Sequence, residues 1–183
     1  MGSIYGISCS NCDFNIILEG IDCFYVDHNT DELIEYILLM STRIDEDNKM
    51  AGYIERTYCP DCDKLIKTYI IRESKYSEEE SISKLEEIIK KSDINDKEQI
   101  EFYADFEGEE PNEFINKFLN KENILSIVCF EPFDEDSFYY KDINHDIRIN
   151  CPQCDKELFR NFKAEKCPVC ESELLYGLSA MLD

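Results

Sequence analysis

Cys151-Pro152-Gln153-Cys154 and Cys167-Pro168-Val169-Cys170 stand twelve residues apart in a chain of 183. Two thiolates three positions apart on a tight turn point into one concavity, and amides of the same turn donate hydrogen bonds to the sulfurs. Two such knuckles facing each other supply four ligands about 2.3 Å from one metal ion. Twelve intervening residues suffice for a short hairpin, so the spacing reads as a metal site.

Working outward, two more pairs repeat the pattern: Cys9-Ser10-Asn11-Cys12 and Cys59-Pro60-Asp61-Cys62, with 46 residues between them. Four knuckles can couple in three ways. Loop-closure entropy favours neighbours in sequence. The expectation is therefore one centre from Cys9, Cys12, Cys59 and Cys62, and a second from Cys151, Cys154, Cys167 and Cys170. The competing reading is a thioredoxin-like dithiol, which needs its Cys pair at the start of a helix. Asp61 and Asp63 oppose thiolate formation beside one pair, and an isolated dithiol leaves the other pairs unexplained.

The third and fourth knuckles, followed by the apolar Leu174-Leu175-Tyr176, resemble the rubredoxin-type zinc ribbon superfamily over roughly residues 147–176. That resemblance implies a β-ribbon and a bound metal, and no particular activity. The run from Tyr5 through Cys9, Cys12 and Gly20-Ile21 to Tyr25 resembles short microbial zinc-ribbon proteins, again with no activity attached. Family knuckles usually follow the second Cys with Gly, which tolerates a left-handed backbone. Here that position holds Asp13, Asp63, Asp155 and Glu171. Asp visits the left-handed region more readily than Glu, so the fourth knuckle is expected to be strained or differently turned.

Forty-one acidic side chains against nineteen basic ones give a formal net charge of −22. Affinity for phosphate comes from Lys and Arg, so a duplex-coating protein is excluded, and binding to an anionic membrane surface is disfavoured for the same reason. A zinc ion held by four thiolates carries a net charge of −2, so two centres take the chain to about −26. The acids beside the knuckles hinder addition of an electron to an iron centre. Zn2+, two per chain, is therefore expected rather than Fe. The chain is 43% hydrophobic and 12% aromatic, enough for a packed core. No window approaches the ~18 apolar residues of a membrane span. Met1 to Gly6 holds neither the basic nor the apolar region of a secretory signal. The expected compartment is the cytoplasm, where paired cysteines hold metal more often than they form disulfides.

Between the knuckles, Phe14 to Leu18 reads as a β-rich run. Leu33, Ile34, Ile37 and Leu38, with Asn29 and Glu32 at capping-box spacing, predict a helix from about Asp31 to Ser41. Arg43 to Gly52 reads as a polar loop and Leu65 to Arg72 as a strand. Ser77 and Glu80 form a capping box ahead of the stripe Ile82, Leu85, Ile88 and Ile89, with Lys90 and Lys91 at the far end; this predicts a second helix. A strand is expected over Gln99 to Ala104, a third helix from Pro111, and a buried strand over Ile124 to Phe130. Glu131 to Lys141 reads as an acidic, aromatic loop.

The expected fold class is α+β, with two four-cysteine zinc ribbons flanking or packed on a small α+β unit. Its expected divisions are 1–72, an N-terminal ribbon with a helix-containing insertion; 73–145, an α+β middle region; and 146–183, a C-terminal ribbon. Cys23 and Cys129, in apolar surroundings, read as small buried hydrophobes. The alternative, a catalytic thiol beside His28 or His145, has no further support. No phosphate-binding Gly loop, H-E-x-x-H or G-x-S-x-G occurs. The sequence thus points to a non-enzymatic, strongly acidic interaction or regulatory protein that meets a basic protein partner. One alternative is a nucleic-acid-binding ribbon using Arg148, Lys156, Arg160, Lys163 and Lys166; another is a rubredoxin-like electron carrier.

Overall fold

The computed structural model describes residues 2–18, 22–37, 48–91, 125–131, 148–160 and 165–182. Eight strands and one helix are built from them: β1 (Gly2–Cys9), β2 (Asn15–Leu18), β3 (Asp22–Asp27), β4 (Leu33–Ile37), β5 (Asn48–Cys59), β6 (Lys64–Ser74), α1 (Glu78–Lys91), β7 (Leu125–Phe130) and β8 (Leu174–Leu182). The mixture is α+β, mostly strand.

Two sheets form. The larger has the order β4-β3-β5-β6-β7, and the smaller has β2-β1-β8. The large sheet is antiparallel except at β6/β7, whose parallel pairing places α1 in the crossover between them. In the small sheet β1 runs antiparallel to β8 from Gly2↔Leu182 to Cys9↔Leu174, so two segments far apart in sequence lie side by side.

Strand alternation gives the large sheet two apolar faces. Phe24, Val26, Ile54, Tyr69 and Ile71 cluster with Leu85 of α1, and with Ile82, Ile88 and Ile89 around it. The opposite face carries Cys23, Tyr53, Ile66 and Ile70, on which Ile149 and Leu158 pack. The sheet is thus sandwiched between α1 and the third knuckle. α1 begins as predicted: the Ser77 hydroxyl caps the Glu80 N–H, three Glu occupy its first turn, and Lys90 and Lys91 its last.

Gly52 marks where two strands and a ring come too close for a side chain. A Cβ there would stand 2.0 Å from the Ile70 carbonyl oxygen and 2.9 Å from Phe24 Cε1. Ionic pairs also lie inside. Arg160 forks onto Glu55, with Nε and Nη2 donating to separate carboxylate oxygens at 2.8 and 2.7 Å. Glu131 accepts from the Tyr53 hydroxyl and pairs with Arg72 at 3.0 Å. Burial raises the Tyr53 phenol, so it remains the donor.

The helix expected over 31–41 is not formed in its described part, which is strand β4. Asp27 explains the difference. Its carboxylate accepts from the N–H groups of Asn29 and Thr30 and from the Thr30 hydroxyl, while its own N–H donates to Glu32 O. That turn, with Asp31 at φ 58°, returns the chain along β3 as a hairpin. Glu35 then meets Lys67 Nζ at 2.8 Å and the Tyr69 hydroxyl, partners only a sheet brings near. The expected loop over 43–52 also yields, because β5 has begun by Asn48. The strands expected over 14–18, 65–72 and 124–130 appear as β2, β6 and β7. The expectations over 99–104 and from Pro111 lie outside the described residues.

Candidate metal centres

Each knuckle is made by backbone hydrogen bonds that pull its two sulfurs inward. The Cys151 N–H donates to Lys156 O and the Asp155 N–H to Cys151 O. The same pair of bonds runs from Cys167 to Ser172 O and from Glu171 to Cys167 O. Cys9 repeats the first with Phe14 O, and Cys59 lies opposite Lys64 across the β5–β6 hairpin. The knuckle amides also reach sulfur: the N–H groups of Asn11 and Val169 donate to Cys9 Sγ and Cys167 Sγ, both at 3.4 Å.

The position usually held by Gly does adopt the left-handed conformation. Asp63, Asp155 and Glu171 have φ of 49°, 59° and 61°. Asp13 is not among the described residues with positive φ. Glu171 therefore takes the ordinary knuckle turn rather than a different one, at the steric cost a Cβ imposes there. Tyr58 supports one of these turns, its hydroxyl donating to Asp63 Oδ1 at 2.9 Å.

The knuckles couple in the order neither sequence distance nor loop entropy favours. Cys9, Cys12, Cys167 and Cys170 form one group and Cys59, Cys62, Cys151 and Cys154 the other, with all four sulfurs of each within 4.8 Å of one another. This corrects the expected grouping of first with second and third with fourth. The pairing is nested: the inner group is enclosed in sequence by the outer. Sheet formation overrides the entropy. β1 pairs with β8 and delivers the first knuckle to the fourth, while the arm after the third knuckle docks on β5 through Glu55–Arg160 and the bridge Tyr58↔Phe159.

The spacing suits a metal. Four sulfurs about 2.3 Å from one ion are ~3.8 Å apart in a tetrahedron. Cys9–Cys170 and Cys12–Cys167 stand at 3.4 and 3.6 Å, Cys59–Cys154 and Cys62–Cys151 at 3.4 and 3.9 Å. Among the described residues each group is four soft sulfur donors, a set that suits a thiophilic metal better than magnesium or calcium.

The thiols share protons unevenly. The Ser172 hydroxyl and N–H favour the Cys170 thiolate and bring it down to about 6. Burial works against the Cys151 thiolate, yet the N–H groups of Gln153 and Cys154 bring it down to about 7. Cys154 beside Cys62, together with burial, pushes Cys62 up to about 12. The Phe14 N–H favours the Cys12 thiolate, but burial and the three facing sulfurs outweigh it and push that thiol up to about 12.

No protein-family model matches the chain, and neither a curated protein nor a solved structure matches it. The assignment of the two groups therefore rests on their own geometry.

The remaining candidates sort plainly. Cys23 is fully buried, in the apolar cluster against which Cys129 also packs, and neither joins a four-cysteine group. Burial raises the Cys129 thiol, the opposite of what a nucleophile needs. His28 is exposed on the Asp27 turn, and His145 lies outside the described residues. No described knuckle opens a helix, so the thioredoxin-like arrangement is not built. Arg160, counted in the expected basic set, is buried against Glu55, while Arg148, Lys156 and Lys166 are exposed and Lys163 is outside the described residues.

Sequence reasoning missed three aromatics between the centres. Phe14, Tyr58 and Phe159 pack together, with ring centroids 5.6 Å apart for Phe14–Tyr58 and for Phe14–Phe159. A signal was present: the seventh residue after the first Cys of each knuckle is apolar (Ile16, Ile66, Leu158, Leu174). That shared apolar position flags the third return arm as packed: Leu158 is buried there, with Phe159 beside it.

Proposed function

We propose that the protein is a non-enzymatic zinc-ribbon protein in which two structural zinc ions hold the fold and a strongly acidic surface meets a basic protein partner. The observation that carries the zinc reading is the pair of four-thiol groups, each with sulfurs at tetrahedral spacing. Asp63, Asp155 and Glu171 stand directly after metal-facing cysteines. Their charge opposes adding an electron to an already anionic centre, which favours zinc over redox-active iron.

The formal charge of −22 supports the partner reading. Such a surface steers a basic partner at long range and repels nucleic acid. The burial of Arg160 removes one cation from the set a nucleic-acid reading would use. Elemental analysis and a visible spectrum of anaerobically purified protein test the metal: two zinc per chain and no colour are expected, and iron with a red spectrum would make it an electron carrier. Immobilised zinc-loaded protein tests the partner. A basic protein retained at low salt and released at raised salt is expected; retention of nucleic acid instead, or of nothing, would overturn the reading.

A further inference from the structure

The inner knuckles build part of the outer centre. Tyr58 immediately precedes Cys59, an inner ligand, and Phe159 follows Cys154, another, on the same docked arm. Their backbones are joined by two hydrogen bonds, Tyr58 N–H to Phe159 O at 3.0 Å and Phe159 N–H to Tyr58 O at 2.8 Å. Both side chains pack on the buried cluster of Ile7, Phe14, Cys167 and Leu174, against which Cys9, Cys12 and Cys170 also pack, while the Tyr58 hydroxyl stays tied to the inner knuckle through Asp63.

The two groups differ in what organises them. The inner one has Cys59 at the end of a twelve-residue strand and Cys151 on an arm locked by the buried Arg160–Glu55 fork. Cys59 and Cys151 are both buried; in the outer group only Cys167 is. The outer group relies on pairing two segments distant in sequence: Cys12 and Cys167 are 155 positions apart, against 89 for Cys62 and Cys151.

Resting on the zinc reading, we propose that the two centres are thermodynamically coupled through the Tyr58–Phe159 bridge and fill in order, the inner first and the outer as the exchangeable site. A metal at the inner centre fixes both inner knuckles, and with them the aromatic wall of the outer one. It also shortens the chain the outer centre must close, from 155 positions to ~60 through the inner metal, worth about fourfold in affinity by loop entropy alone. The wall adds to this, so filling the inner centre raises outer affinity by roughly 10- to 100-fold, within the usual range of coupling between sites. Linkage is reciprocal, so the outer metal tightens the inner one by the same factor.

The test is a zinc titration of the metal-free, reduced full chain against a chromophoric chelator, paired with cadmium-113 NMR, in which each four-thiolate centre gives its own resonance. C167S/C170S identifies the inner resonance. In the unaltered protein the inner resonance is expected to dominate at one equivalent. F159A keeps all eight thiols; it is expected to leave inner affinity within about twofold and to weaken the outer by about 10-fold. F159L, which keeps most of the bulk, should weaken it less. C151S/C154S should weaken the outer centre at least as much as F159A does.

Equal filling of both resonances at one equivalent overturns the inner-first order, even if every variant fails to fold. Unchanged affinities in F159A, or an equal loss at both centres, overturn the coupling. Two zinc ions bound independently would leave the zinc reading standing and end the coupling. No zinc at all would end both.

Discussion

Arg160 grips Glu55 with two hydrogen bonds, and the pair is nearly sealed from water, at 8% and 3% side-chain exposure. The fork ties the arm that carries Cys151 and Cys154 to the strand that carries Cys59. Burying two charges is costly, and the pair adds little net stability over an apolar substitute. Removing one partner is different, because it leaves a charge buried alone. R160M should therefore cost about 3–5 kcal/mol, and E55M/R160M should recover most of it. Guanidinium unfolding of the zinc-loaded protein measures both; a double variant no better than the single one would show that the fork does more than neutralise charge.

Gly52 should tolerate no side chain. The Cβ of G52A would lie 2.0 Å from a strand carbonyl, which cannot rotate away as a side-chain tip can. β5 and β6 must part and Phe24 must give way as well, and a loss of about 3 kcal/mol is expected. Calorimetry would reveal it as a lower Tm at unchanged zinc content. An unaltered Tm would mean that the strands slide past one another freely.

The nested pairing makes a chemical prediction. In C9S/C12S the thiols expected to lose a metal are Cys167 and Cys170, while Cys59, Cys62, Cys151 and Cys154 are expected to keep one. Alkylation of the zinc-loaded variant, read by peptide mass spectrometry, should label Cys167 and Cys170 first. Labelling Cys59 and Cys62 first would restore the neighbour pairing.

Metal uptake should release protons. A metal-bound cysteine is a thiolate. Cys12 and Cys62, pushed up to about 12, are protonated at pH 7.5 in the metal-free protein, so each centre gives up at least one proton on binding. Lowering the pH adds protons the metal must displace. Affinity should fall with pH, and more steeply once Cys151 (about 7) and then Cys170 (about 6) are protonated as well. Calorimetric titration in buffers of different ionisation enthalpy counts these protons; heats that do not vary with buffer would contradict the assignment.

The local part of this structure was legible and the distant part was not. α1 was readable because cap, stripe and terminal charges agree within one segment, and the knuckles because Cys-x-x-Cys fixes its own turn. β4 is not legible from periodicity because Leu33, Ile34 and Ile37 suit a helix as well as a strand, and the hydrogen bonds to Asp27 that decide between them belong to a turn that periodicity does not encode. The coupling of knuckles was misread for a deeper reason. Loop entropy grows only as the logarithm of length, so the penalty for joining position 12 to 167 instead of 59 is small. The pairing of β1 with β8 outweighs it.

Nesting also reverses the order of birth and completion. A ribosome adds about 5–20 residues per second, so the first knuckle to be made waits roughly 10–30 s for Cys167, 155 positions later than Cys12. The second knuckle waits little more than half as long, 89 positions separating Cys62 from Cys151. Had neighbours paired, the first centre would have closed before the third and fourth knuckles were made. As folded, the oldest of these eight thiols are among the last to be sheltered, and of the eight are exposed longest to stray metal and to oxidants during synthesis.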